Sequence, residues 1–147
     1  MNETNKPLHT STDLYLILDD YLTHIRKKYD DILKERKKIE DVIVSLSKKL
    51  KKEEKLLNNN VDNFEHKQYL KLKNKAKDVL SYAKDIDKQY FIQTANIRNI
   101  GVFCTDLALN KIEKNNKLFD EFLNYYLETE NYEMCSKLKN VIDTYFN

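Results

Sequence analysis

This chain predicts an all-α fold, a long antiparallel coiled-coil helical hairpin carrying a shorter C-terminal helical hairpin, and three observations point to it. Glycine and proline occur once each in 147 residues, at Gly101 and Pro7. Sheets, tight hairpins and phosphate-cradling loops need backbone freedom that such a chain lacks. Charged residues make up 34% of the chain, high for a compact globule and ordinary for coiled coils. Apolar residues recur between Tyr15 and Leu57 at alternating steps of three and four, which lays a narrow seam along one side of a helix.

Residues 1–12 form a polar lead without the apolar core of a signal peptide. Ser11, Thr12 and Asp13 then offer capping side chains just before Leu14, which marks a helix start. The seam of this first helix reads Tyr15, Leu18, Leu22, Ile25, Tyr29, Ile32, Arg36, Ile39, Ile43, Leu46, Leu50, Glu53 and Leu57, with Arg36 and Glu53 as polar interruptions. At 1.5 Å per residue the helix would be roughly 65 Å long, so its seam demands a partner. The asparagine-rich run 58–63 predicts a short turn, because Asn and Asp bond their own backbone and tolerate left-handed conformations. Beyond it the ladder resumes at Tyr69, Leu72, Ala76, Val79, Ala83, Ile86, Tyr90, Gln93, Ile97 and Ile100. So short a connection makes the two helices antiparallel, giving a hairpin over 13–100. Its register sets Arg36 near Asp85, either as an ion pair or with the arginine stem reaching out to solvent. Ile39 and Ile43 belong to the main interface. Leu14, Ile17, Leu33, Val42 and Leu56 widen the apolar stripe beyond one seam, which predicts a homo-oligomer unless the C-terminal part folds back over it.

Gly101 predicts a kink or corner that opens the C-terminal hairpin, 101–147; a glycine inside a continuous helix is the alternative. Leu107, Ala108, Ile112, Leu118, Phe119, Phe122, Leu123 and Tyr126 would face inward. After a break at Thr129, Glu130 and Asn131, Tyr132, Cys135, Leu138, Ile142 and Tyr145 form one stripe of a last helix. Within residues 130–142, Tyr132 follows an acidic start, Cys135 and Ser136 are small, and Leu138, Lys139 and Ile142 come next. This pattern resembles the UVR motif of bacterial excision-repair proteins, with Asn140 standing where that family has an acid. The resemblance implies a small helical hairpin that pairs with a partner hairpin and has no catalysis of its own.

Residues that could carry chemistry are few. One glycine leaves no P-loop and no dinucleotide fingerprint. His9, His24 and His66 have neither a Glu three residues before them nor an HExxH context. Cys104 and Cys135 lack metal-ligand spacing and read as reduced, buried thiols. No enzyme, no cofactor and no small-molecule substrate are therefore expected. No apolar run is long enough to span a membrane, so the expected location is cytoplasmic, in a host cytoplasm or a virion. The Lys-, Asn-, Ile- and Tyr-rich composition fits an AT-rich genome, such as that of a phage, a virus or a low-GC bacterium.

Charge is unevenly laid out although its net value is only +2. Residues 48–77 hold ten lysines against four acids, whereas residues 101–147 hold five bases against eight acids. A lysine-rich tip and an acidic, aromatic base would result. Two functions compete. A protein–protein interaction or assembly protein would use Phe119, Phe122, Tyr126 and Tyr132 to hold its partner. A nonspecific nucleic-acid accessory protein, a recombination or replication helper, would hold phosphates with Lys48, Lys49, Lys71 and Lys75. A small inhibitor of another protein makes the same demands on sequence as the first.

Overall fold

A computed structural model describes residues 6–59 and 63–146. A single 3-10 turn, Leu8–Thr10, precedes four helices: α1, Thr12–Asn59; α2, Asn63–Ala108; α3, Lys117–Glu128; and α4, Tyr132–Tyr145. The all-α expectation holds, and α1 and α2 pack closely as a helical hairpin. Helix continues through Asn59 and is in place again at Asn63; residues 60–62 of the predicted turn lie outside the described residues. The start of α1 follows its cap: the Leu14 N–H donates to Ser11 Oγ at 3.1 Å, and Ser11 is buried.

Gly101 is not a corner. α2 runs through it to Ala108, and Gly101 has no positive φ. The stop comes at Asn110, which takes a φ of 55°. The Lys111 N–H donates to the Asp106 carbonyl at 2.8 Å and the Asn110 N–H to the Leu107 carbonyl at 3.1 Å, the two bonds of a Schellman ending. α3 ends the same way around Glu130, at φ 57°, with the Asn131 N–H donating to the Tyr126 carbonyl at 2.8 Å. Asn116 and Asn131 cap α3 and α4 by accepting the Leu118 and Met134 N–H groups. A domain boundary at 100/101 therefore gives way to a different division, into Met1–Lys28 with Gln93–Asn147, and Tyr29–Ile92.

In the first unit the opening turns of α1, the closing turns of α2, and α3 and α4 share one core. Phe122 and Tyr126 are completely buried at its centre, and Phe122 meets Tyr21 and Phe103 edge-on at 5.0 and 6.0 Å between ring centroids. Met134 and Val141, outside the predicted stripe, are buried in the core, whereas Ala108, Leu123 and Tyr132, predicted inward, are exposed. Leu14 and Ile17 are covered, so here the C-terminal helices do fold back over the widened stripe.

The second unit is thinner. Ile32, Ile39 and Ile86 are buried, with Ile43, Val79, Ala83 and Tyr90 packed against them. All ten positions of the α2 ladder are at least half-buried, as are all those of α1 except Tyr15, which is 49% exposed. A straight helix of 3.6 residues per turn drifts about 20° per heptad from a 3.5-residue seam. Three heptads from Arg36 that drift turns Tyr15 outward and brings Leu14 and Tyr21 in.

Candidate functional site

The four aromatic residues expected to capture a partner separate. Phe119, Phe122 and Tyr126 are core residues, and only Tyr132, 62% exposed, is available at the surface. The cause is the second stripe of α1. Leu14, Ile17 and Tyr21 need a covering layer, and the apolar face of α3 supplies it. The Tyr126 hydroxyl donates to Asp20 Oδ2 at 2.8 Å. Burial, and then this bond, holds its pKa far above the ordinary phenol value.

Lys48, Lys49, Lys71 and Lys75 are all exposed. None takes part in an ion pair among the described residues, and the neighbouring Glu54 accepts a bond from the Tyr69 hydroxyl at 3.2 Å. They can meet phosphates as point charges, without arginine forks or stacked rings between them.

Among the described residues no group of His, Cys, Asp and Glu has metal-binding geometry. His9 and His66 are exposed. His24 stacks on Tyr125 at 4.2 Å and borders a polar cleft of about 260 Å³ with Lys28, Glu121 and Glu128. Desolvation, then Lys28, pulls the His24 pKa below its ordinary value. Burial, and then Glu121, pushes the Tyr21 hydroxyl up to about 12. Glu121 Oε2 is buried with no hydrogen-bond partner among the described residues. Cys104 is exposed rather than buried, because α2 continues past Gly101 and turns that position outward; Cys135 is half-buried, and both are free thiols.

A further cleft lies in the Tyr29–Ile92 unit. It encloses about 500 Å³ between Leu33, Arg36, Lys37, Ile39, Glu40, Ile43 and Val44 of α1 and Ala83, Ile86 and Asp87 of α2. Arg36 shapes one wall. Its Nε meets Asp87 Oδ1 at 3.2 Å, and its guanidinium lies 4.1 Å over the Tyr90 ring, which stacks on Tyr29 at 5.7 Å. The partner is Asp87 and not Asp85 because Asp87 immediately follows the seam residue Ile86 and flanks the seam, whereas Asp85 sits on the outer face of the heptad. On the other flank the Tyr82 hydroxyl donates to Glu35 Oε1 at 3.0 Å. Opposite the isoleucines, the small Ala83 leaves the hollow. Leu33 and Val44, 38% and 49% exposed, stand on its rim. Val44 lies off the predicted seam and off the widened stripe, and the signal that leads to it is a second set of steps of four and three running beside the seam.

No helix is long and apolar enough to cross a membrane among the described residues. Comparison with family models, curated proteins and solved structures finds no match for this chain.

Proposed function

We propose that this is a non-catalytic helical protein–protein interaction or assembly protein. The observation that carries the proposal is the cleft of the Tyr29–Ile92 unit, a largely apolar hollow with Leu33 and Val44 exposed on its rim. A two-helix core leaves much of each helix's circumference uncovered, and exposed apolar side chains grouped around a hollow are a usual mark of an association surface. Its walls hold charges of both signs and no cluster suited to acid–base or nucleophilic work. The UVR-like pattern of residues 130–142 supports the same class of function, since hairpin pairing is what that resemblance implies. The AT-rich composition is consistent with a phage or viral assembly.

The second reading, nonspecific nucleic-acid binding, is supported by the exposure of Lys48, Lys49, Lys71 and Lys75 on a segment rich in lysine. Two measurements separate the readings. Sedimentation over a wide concentration range should reveal species heavier than the monomer, and labelled oligonucleotide should not bind even at low salt. A strict monomer that binds oligonucleotide tightly, with a log–log salt slope near about −0.7 per phosphate contact on single strands, would overturn the proposal. Lys48→Glu, Lys49→Glu, Lys71→Glu and Lys75→Glu together should then abolish that binding and leave helicity intact.

A further inference from the structure

The apolar rim residues of the cleft belong to a second heptad stripe. Leu33, Lys37, Glu40 and Val44 follow one another at steps of four, three and four, the spacing of the seam itself, so they form a line alongside it. All four border the cleft, with Ala83 and Ile86 on its far side. In the Met1–Lys28 unit the second stripe of α1, on the opposite flank of the seam, is covered by α3. In the Tyr29–Ile92 unit Leu33 and Val44 remain exposed.

The order of the four residues is apolar, basic, acidic, apolar. Laid antiparallel on a copy of itself about a two-fold axis between residues 38 and 39, the stripe matches at every position. Leu33 meets Val44 of the second copy, Lys37 meets Glu40, and each pair occurs twice, as an isologous contact requires. Laid parallel, Lys37 would face Lys37 and Glu40 would face Glu40, so the charges select one orientation. In the same register Asp30 falls opposite Ser47 of the second copy, and Arg26 opposes Lys51. The complementary pairs thus lie within residues 33–44.

We infer that the occupant of this cleft is a second copy of the chain, docked through an antiparallel, two-fold symmetric α1–α1 contact centred between residues 38 and 39. The inference deepens the association reading above and rests on it. Each copy inserts the Leu33 and Val44 side chains along the lip of the other's hollow, and the central Lys37–Glu40 pairs set the register.

The test combines charge reversal with cross-linking. Lys37→Glu alone sets acid against acid at both central pairs, and Glu40→Lys alone sets base against base. Each should weaken dimerisation measured by sedimentation at least about tenfold, and the double exchange should restore it. All four sites of the test are exposed or at the rim, and Glu and Lys are comparable helix formers, so unchanged helicity by circular dichroism accompanies the expected result. For cross-linking, Cys104→Ser and Cys135→Ala remove the native thiols, and Leu33→Cys and Val44→Cys are then introduced in separate chains. On one helix these sites are about 16 Å apart, beyond the 4.4–6.8 Å Cα separation that a disulfide needs. Mixing the two chains under mild oxidation should give a disulfide-linked dimer, and neither chain alone should give one. A dimer indifferent to the charge reversals, or a Leu33→Cys chain that links to itself, would overturn this docking mode while leaving association through another surface intact. A monomer at every concentration would overturn both this inference and the association reading.

Discussion

Tyr126 is completely buried, yet its hydroxyl reaches Asp20 Oδ2 at 2.8 Å, so its ring and its polar end can be tested apart. Tyr126→Phe keeps the ring and removes the bond to an exposed carboxylate, which should lower stability by about 1 kcal/mol. Phe122→Ala removes a completely buried ring and should cost about 3–5 kcal/mol. Urea unfolding of the two variants checks the difference, and equal losses would mean that the bond to Asp20 is worth as much as a buried core ring. His24 gives a second test. Its folded pKa lies below the ordinary value because of burial and then Lys28, while the unfolded chain titrates near about 6.5. Above that pH neither state binds the proton and the neutral imidazole costs nothing. As pH falls from there through the folded value, the unfolded chain takes the proton first and stability declines. A proton NMR titration should place the His24 midpoint in the folded protein below that of the same histidine in the urea-unfolded chain. For Tyr21, pushed to about 12 by burial and then Glu121, the sign reverses. Its contribution is complete below the unfolded phenol value and is lost as pH rises through the folded one.

Within the helices, the departures from ordinary local chemistry are where substitutions should be informative. Gly101 sits inside α2, and a Cβ built on it meets nothing within 4 Å. Gly101→Ala should therefore raise stability by about 0.5–1 kcal/mol, by removing backbone entropy from the unfolded chain. A corner at this position would have made the same change destabilising. Glu130 holds a left-handed φ of 57° at the end of α3, a conformation costing a non-glycine residue roughly 1–2 kcal/mol. Glu130→Gly should recover part of that, read as a higher melting temperature. In the α1–α2 seam, Ile39 is buried and Ile43 packs against the same cluster. Converting both to Asp places charge in a dry seam and should cost several kcal/mol. A melting temperature equal to that of the parent would show that these residues do not hold the seam.

For the chain as a whole, the two units differ in how completely their apolar stripes are covered. In the Met1–Lys28 and Gln93–Asn147 unit, four helices surround a core that includes Phe103, Phe119 and Phe122. In the Tyr29–Ile92 unit, two helices close over a single seam, and the rim of its cleft stays exposed. The proposed association through the second unit should therefore be insensitive to a mild perturbation of the aromatic core of the first. Tyr126→Phe is expected to leave the sedimentation profile unchanged, whereas Leu33→Glu should shift it toward the monomer. Only part of the candidate site is legible in the sequence: Leu33 stands out as an apolar residue off the seam, but Val44, Lys37 and Glu40 acquire meaning only as a stripe beside a hollow.

Helical class, the start of α1 at its Ser11 cap and the identity of the seam residues are all readable from the chain. They depend on a 3.6-residue period, on side chains a few positions apart and on the near absence of Gly and Pro. The end of α2 is not readable, because Asn110 performs the left-handed stop usually taken by glycine. Nor is the fate of the aromatics. Periodicity shows that a helix has an apolar face, but not which neighbour will cover it, and the bond between Tyr126 and Asp20 joins residues 106 positions apart. The same holds for Arg36, whose pairing with Asp87 rather than Asp85 depends on the rotation of one helix against another. That rotation is fixed by packing along the whole seam and by no residue on its own.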